Sequence, residues 1–466
     1  MRSPDTIMSH GVIAARRAPL RPLLVNELWG IVSGRALWTM LLIMCPIVGV
    51  SFFQAMSLYG ESSAAAVDSP VLASGLSPLD GILVPTFGAF YVTVTLLFPF
   101  VAIRALGREK ETGTLRLLLQ LPYRVPTLIA AKMAAVVAAW LIALIPAASA
   151  LLLWRVVGGH LDAVETFNLL LGHLLYGLLI GAVALFAAAI AESAATAAIM
   201  TLGITIGSWI IDFALAGQPG FAEWVSRLSL TQTLRPFEQG LFSLGLVFGA
   251  LVAVLGLATL AALWLHPGVP LRAKLARSLV CAAVTGALLL LAAQIRNTID
   301  VTEDRRNSFP AADQRTLATL REPLVITVHL APEDPRYVDL RRNVLSKLER
   351  VLPNVTTRLA GSGHTIVGRG NEESYGEVEY VYGGRSDKSR STSHREILPL
   401  LYGLAGVPVP APIPGEDYPG YPLVTNATMA LPWFLGALPI LIVLAWSWSC
   451  RAPTIPPKFV KAGGKL

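Results

Sequence analysis

The residues best suited to chemistry lie in a polar stretch at positions 104–132, between two long apolar runs. The charged run Arg108-Glu109-Lys110-Glu111 is followed by Thr-Gly-Thr and then by a leucine-rich segment that reaches Pro122. Threonine caps helices, glycine is flexible and proline ends helices, so this order predicts a short capped helix with a leucine face. A basic loop lying on lipid would explain the bases. The acids Glu109 and Glu111 beside the leucines instead favour docking to a protein partner.

Two further ionisable residues, His173 and Asp212, lie within apolar runs. A charge in hydrocarbon is costly, so residues of this kind are candidates for a role in transport. Each also lies near one end of its run, where a side chain can reach interfacial water. Both interpretations remain open from the sequence.

Motifs for nucleotide, metal or redox chemistry are missing from the sequence. It contains no GxxxxGK[ST] to cradle ATP phosphates, no HExxH and no CxxC, and its three cysteines are far apart. We therefore expect this chain to be no enzyme and to bind no cofactor and no metal. A nucleic-acid partner is excluded by the shortage of charge, since only 14% of the residues are charged.

The composition places these residues in a membrane protein. The chain has 466 residues, of which 54% are hydrophobic, and a mean hydropathy of +0.60. Eight apolar runs are long enough for a bilayer-crossing helix, which needs roughly 20 residues. They are residues 36–56, 81–103, 127–154, 169–191, 193–216, 241–264, 276–295 and 427–449. The seventh is the weakest, because Arg277 must extend its charge to the interface.

The distribution of Lys and Arg predicts the orientation of the chain. The bases are concentrated in the N-terminal arm, at 104–132, at 272–277 and in the C-terminal tail. The short loops of the opposite side carry Arg155, Arg227 and Arg235 and no other base. Both termini are therefore expected to be cytoplasmic, in what would be a bacterial inner membrane. The long insert at 296–426 is then extracytoplasmic.

This insert has nearly balanced charge and the composition of a soluble domain. The predicted strands are 324–330, 354–359 and 376–382, and the predicted helices are 337–352 and 394–401. Pro399 is expected to end or kink the second helix. Residues 361–371 and 383–393 are predicted loops, and 407–422 a linker to the membrane. The order β-α-β-β-α predicts a small open α/β sheet. Since no catalytic or metal-binding pattern occurs in it, the domain is predicted to dock a partner.

The fold class that follows is a polytopic α-helical membrane protein with eight transmembrane helices and one small extracytoplasmic α/β domain. Its predicted parts are an arm (1–35), a six-span unit (36–265), a loop with the seventh span (266–295), the external domain (296–426), the eighth span (427–449) and a basic tail (450–466).

The polar stretch also resembles the signature of type-2 ABC exporter permeases. The resemblance rests on Glu111-x-Gly113-Thr114-Leu115, Leu118-Leu119, Pro122, Arg124 and Lys132. It implies that a separate ATPase docks here, in two copies that hold ATP and magnesium. The implied coupling residues are Glu109, Glu111, Gly113, Thr114, Leu115, Leu118, Pro122 and Arg124. A second permease copy or a paralogue would complete the transporter in the lipid bilayer.

Three other segments show family resemblances. Residues 20–34 resemble the amphipathic elbow helix of these permeases, with Glu27 and Trp29 on it, and residues 228–242 resemble their external re-entrant segment. The insert 296–426 is similar to the auxiliary component of gliding-motility-type ABC systems, although it is shorter, and its partner would be periplasmic. The leading hypothesis is an export permease. The alternative is a membrane component that transmits ATP-driven force to an envelope partner without moving solute.

Overall fold

The computed structural model describes residues 20–214, 229–295, 297–331, 334–352, 354–359, 375–411, 413 and 418–451. Within these residues eight helices are long and apolar enough to cross a membrane, which confirms the predicted fold class. We call them spans one to eight. They are Arg35–Ala66, Leu79–Glu111, Val125–Val156, Ala163–Ile190, Ala194–Asp212, Leu244–Leu265, Leu271–Gln294 and Ala427–Arg451. Predictions for residues 1–19, 215–228, 361–371 and 452–466 lie outside the described residues.

Several span limits differ from the predicted ones, and three of them have a clear local cause. The first helix continues to Ala66, into the expected external loop, because alanine is a strong helix former and three alanines end the segment. The second continues past residue 103 as a further helix, Arg104–Glu111. The sixth begins at Leu244 rather than 241, where the Ser243 hydroxyl accepts a hydrogen bond from the Leu246 amide (3.4 Å).

Shorter helices connect and flank the spans. The first is an N-terminal helix at Leu20–Val32. The others outside the spans are Pro70–Ala73, Thr114–Leu118, Leu230–Thr233, Arg235–Glu238, Ala311–Leu317, Pro335–Leu340, Arg341–Leu345, Ser346–Val351 and His394–Ala405. We call the end of the bundle that carries Thr114–Leu118 the loop end. The opposite end, from which the sheet projects, is the domain end.

The spans pack through small residues on facing helices. Gly177 and Gly181 of span four lie against Trp140 and Val136 of span three, so closely that a Cβ at either glycine would clash. Small residues permit such approach where lipid supplies no hydrophobic drive. Span four is therefore the most enclosed helix of the bundle, whereas span seven is almost wholly exposed and packs against span six.

The α/β domain contains a four-stranded sheet in the order β4-β3-β5-β6. The strands are β3 (Leu324–Val328), β4 (Val355–Leu359), β5 (Val378–Tyr382) and β6 (Arg385–Ser389), while β1 (Leu241–Ser243) and β2 (Thr298–Asp300) form a separate pair. Strand β3 is parallel to β4 and antiparallel to β5. Alternate residues of β3 and β5 are buried under the helices, as half-buried strands require.

Two predictions within this domain were wrong. Residues 385–389 form strand β6 rather than a loop, because Gly383 and Gly384, both at positive φ, turn the chain into a hairpin with β5. The helix that starts at His394 runs through Pro399 to Ala405 without ending. It stops at Gly406, which adopts the left-handed conformation that terminates helices.

The base of the domain is bonded to the bundle rather than merely tethered. Strand β2 pairs antiparallel with β1, at the entrance to span six. The Arg306 guanidinium contacts the Asp80 carboxylate and donates to the Ser77 hydroxyl (2.5 Å), both at the start of span two. The segment that precedes the sheet therefore contacts two separate parts of the helical bundle.

The returning segment is bonded in the same way, so the predicted linker at 407–422 is an anchor at its C-terminal end. The Tyr421 hydroxyl donates to Glu303, and its ring stacks on His160 with centroids 3.6 Å apart. Its carbonyl accepts from the Tyr59 hydroxyl of span one (2.8 Å). The Tyr418 hydroxyl donates to the Leu76 carbonyl (3.3 Å).

Candidate functional site

The loop helix, Thr114–Leu118, begins directly after Gly113, whose backbone conformation favours glycine. Gly113 has φ +73°, and it occupies the N-cap position without a side-chain cap. The predicted threonine caps are therefore absent. Instead the Thr112 hydroxyl donates to the Arg108 carbonyl (2.9 Å), which ends the preceding helix. The glycine reverses the chain so that the loop helix folds back against the end of span two.

The leucines of the loop helix and of the turn that follows it differ in burial. Leu115 is buried, whereas Leu117 is 65% exposed and Leu121 is 46% exposed. Five of the eight predicted coupling residues are also exposed; they are Glu111, Gly113, Thr114, Pro122 and Arg124. Leu118 is partly buried. An exposed face that combines leucines with both signs of charge suits a protein partner better than lipid alone.

Glu109 lies apart from that surface, since it points inward to Lys132. The Lys132 ammonium of span three is fully buried and lies 2.7 Å from the Glu109 carboxylate. It also donates to both carboxylate oxygens of Glu27, at 2.9 and 3.0 Å, and to the Ala105 carbonyl at 2.6 Å. We call Glu27, Glu109 and Lys132 the lysine cluster. It joins the N-terminal helix, the end of span two and span three at one point.

The charge balance of the cluster is one ammonium against two carboxylates. Burial raises the pKa of Glu27; the Lys132 ammonium opposes this rise, and the nearby Glu109 carboxylate adds to it. An isolated charge at such a site would be costly, so each partner depends on the others. Trp29 lies two residues further along the N-terminal helix and is partly buried.

A lone lysine within an apolar helix is the sequence signal for this cluster. Lys132 is the single charge in the apolar helix Val125–Ala143, and a lone buried lysine needs an acidic partner. Lys110 is also partly buried, but its partners are backbone carbonyls rather than an acid. Its ammonium donates to the Ala189 and Ala191 carbonyls at the end of span four (2.7 and 2.9 Å). Through these contacts the base of the loop helix reaches spans two, three and four.

Asp212 anchors the segment that was predicted to re-enter the membrane. It is buried at the end of span five, accepts a hydrogen bond from the Gln232 amide (2.6 Å) and pairs with the Arg235 guanidinium (2.6 Å). Phe237 of the same segment is fully buried against Gly172 of span four. The observed contacts therefore give Asp212 a positioning role at the domain end, and they do not place it in interfacial water.

His173 is likewise enclosed rather than near water. It is 1% exposed, and its ring lies against Phe87 and Phe90 with centroid distances of 5.0 and 5.7 Å. Its Nε2 atom is 3.8 Å from a carboxylate oxygen of Glu238, too far for a hydrogen bond. Burial raises the pKa of Glu238 to about 7, against the attraction of Arg235. Within the described residues no group of acids, histidines and cysteines could hold a metal ion.

A protein-family model described as ABC-2 family transporter protein matches residues 22–261. The chain belongs to the ABC-2 transporter family. The match includes the N-terminal helix, the loop helix, the lysine cluster and most of the first six spans. Neither the curated proteins nor the solved structures contain a significant match to the chain.

Membership of the ABC-2 family identifies the first six spans as a permease unit in a multi-pass membrane protein. Permeases of this family are normally non-catalytic membrane subunits that work with an ABC ATPase. The matched residues end within span six. Spans seven and eight and the α/β domain therefore lie beyond the matched region.

Proposed function

We propose that this chain is the permease subunit of an ATP-driven export system, with a separate ATPase docked on the exposed face of the loop helix. The observation that carries the proposal is the combination of exposed leucines, Leu117 and Leu121, with the buried lysine cluster, which joins the end of span two to span three. A docking surface can transmit force when it is fixed to the elements that must move. The base distribution supports a cytoplasmic loop end, cytoplasmic termini and an extracytoplasmic α/β domain.

In this proposal two ATPase copies, which hold the ATP and magnesium, close when ATP binds. Their closure pushes the loop helix, and the push reaches the bundle through Leu115 and the lysine cluster. The N-terminal helix moves with spans two and three, because Lys132 of span three bonds to Glu27 of that helix and contacts the end of span two through Glu109 and the Ala105 carbonyl. A switch of a few kcal/mol suffices if ATP binds one arrangement more tightly than the other.

A second permease copy or a paralogue is part of the proposal. Span five supports it, since Gly203 and Gly207 have no atom close to where a Cβ would lie. Their face of the helix is open, in contrast to the glycines of span four, which contact span three. Small residues on an open face allow a second helix to approach closely.

Site-specific photo-crosslinking tests the docking surface. A photoreactive amino acid at Leu117 of the full chain in native membranes should capture a protein that carries GxxxxGK[ST] and binds ATP. The matched control places the same residue at Ile199, an exposed apolar position of span five. The proposal fails if Leu117 captures lipid and no ATPase, or if both positions capture the ATPase equally.

Force transmission to an envelope partner is the second candidate function, and the bonded base of the α/β domain favours it. Arg306, Tyr418 and Tyr421 connect the domain to the spans on both of its connecting segments. A movement of spans one and two would therefore move the sheet as well. The resemblance of residues 296–426 to a gliding-motility-type auxiliary component and a periplasmic partner for this domain belong to the same proposal.

Spin labels distinguish the two candidates. Labels at the exposed Asp387 of β6 report the separation of the domains in a complex with two copies of this chain. Force transmission predicts that the measured distance changes between the nucleotide-free and the ATP-trapped complex. An unchanged distance, together with ATP-dependent release of solute, would leave export as the single function.

A further inference from the structure

Spans six and seven enclose an apolar groove that neither the docking surface nor the transport mechanism uses. Its volume is about 580 Å³, and its walls include Leu255 and Gly256 of span six and Val280, Val284 and Leu288 of span seven. No element of the described chain covers it, because these leucine and valine side chains are largely exposed. One wall, span seven, lies beyond the residues matched by the ABC-2 family.

The groove is charged at one end only. Arg277 lines it at the end nearest the loop end and makes no ion pair with any described residue. Two more bases, Arg272 and Lys274, precede it on the same helix. The sequence from 239 to 299 contains no Asp or Glu. The walls of the groove therefore supply no counter-charge for Arg277.

We propose that this groove binds one anionic phospholipid, with its phosphate on Arg277 and an acyl chain along span seven. An apolar channel with a guanidinium at its end has the chemistry of such a lipid, since guanidinium binds phosphate bidentately. The proposal goes beyond the proposed function, because it needs neither an ATPase nor a transported solute.

The length of the groove agrees with this occupant. From Arg277 to Leu288 span seven advances eleven residues, which at ~1.5 Å per residue is about 16 Å. The hydrocarbon core of a bilayer is ~30 Å thick, so one leaflet contributes about half of that. The groove thus begins at a charge and extends for the depth of one leaflet, as a lipid chain does.

A second copy of this chain fits the groove less well. Closed dimers in a membrane have their two-fold axis along the membrane normal, so this face of each copy would meet its equivalent at the same depth. The two Arg277 charges would then approach each other without an acid nearby to offset the repulsion. An anionic headgroup instead supplies the missing counter-charge.

Native mass spectrometry of the full chain in detergent tests the proposal, with palmitoyl-oleoyl phosphatidylglycerol as the anionic probe and the matching phosphatidylcholine as the zwitterionic one. The wild type should bind one phosphatidylglycerol more tightly than phosphatidylcholine. Arg277→Gln should weaken phosphatidylglycerol binding about tenfold, as loss of a charged hydrogen bond predicts, and should leave phosphatidylcholine unchanged. Arg277→Lys should retain part of the preference.

A second pair of variants tests the apolar part. Val284→Trp fills the groove and should weaken both lipids, whereas Ile199→Trp, on the exposed face of span five, should weaken neither. Arg116→Gln removes an exposed base of the loop helix and is the charge-matched control for Arg277→Gln. Equal binding of the two lipids by the wild type, or undiminished phosphatidylglycerol binding by Arg277→Gln, would overturn the proposal. Efficient oxidative cross-linking of Cys281 between two copies would overturn it too, because the groove would then hold a second chain.

Discussion

Replacement of Lys132 by methionine is the most informative perturbation of the lysine cluster. Methionine keeps an unbranched side chain of similar length and removes the ammonium. The substitution leaves two carboxylates, Glu27 and Glu109, facing each other without a cation. Glu27 has a side chain that is 4% exposed, whereas that of Glu109 is 16% exposed and can regain some hydration.

The magnitude follows from these contacts. Removal of one partner from a buried ion pair costs ~3–5 kcal/mol, because the other charge stays buried without compensation. Burial already raises the pKa of Glu27, so this carboxyl can take up a proton and relieve part of the cost. We therefore expect a loss of about 3 kcal/mol in the free energy of unfolding, at the lower end of that range.

The assay is SDS-induced unfolding of the purified chain in mixed micelles, followed by circular dichroism. Glu27→Gln/Lys132→Met should recover much of the loss, because the most deeply buried carboxylate is then removed together with its partner. Lys388→Met is the control. Its ammonium is exposed and 3.6 Å from Glu377, and such surface pairs contribute little. If Lys132→Met were no less stable than Lys388→Met, the cluster would not join the three elements as argued.

Three further expectations concern other parts of the chain. Leu117→Glu should lower ATP turnover of the assembled complex several-fold without changing the unfolding curve, because this side chain is 65% exposed. Asp212→Asn should lower the free energy of unfolding by ~1–2 kcal/mol, through loss of the charged contact with Arg235, as measured by the same SDS titration. The hydrogen bond to Glu303 raises the pKa of Tyr421 to about 12 from an ordinary value of 10.0. Its stabilising contribution is therefore complete below pH 10 and is lost as the pH rises from about 10 to about 12, a loss that Tyr421→Phe should remove from the pH profile of unfolding.

The spans could be predicted from the sequence because bilayer thickness fixes how long an apolar run must be. Their ends could not, because they depend on individual contacts. The sixth span starts at Leu244 because residues 241–243 pair with strand β2, which lies more than fifty positions later in the chain. Such a pairing leaves no trace in local hydropathy. Strand β6 was missed for a similar reason, since its sequence RSDKS lacks β-formers and the strand exists by pairing with β5.

The candidate site was predictable in composition but not in geometry. The turn at Gly113 and the leucines after it were visible in the sequence, whereas the division of the leucines into buried Leu115 and exposed Leu117 depends on how the loop helix folds back. The sharing of Lys132 between Glu27 and Glu109 could not be foreseen, because Glu27 and Lys132 are 105 residues apart and meet through the packing of three helices. The assignment of Glu109 to the coupling surface stays a prediction. In the structure its side chain faces inward, towards Lys132.

ATP turnover tests the central claim most directly: a separate ATPase acts on this chain through the loop helix. The complex would be purified from native membranes through a tag on this chain, as wild type and as Glu111→Lys/Gly113→Pro. Proline cannot adopt the φ of +73° at position 113, and Glu111 is exposed, so the double change alters the docking face without touching the lysine cluster. We predict that the ATPase and its turnover are lost from the variant while the chain stays folded. Full co-purification and undiminished ATP hydrolysis by the variant would contradict the claim.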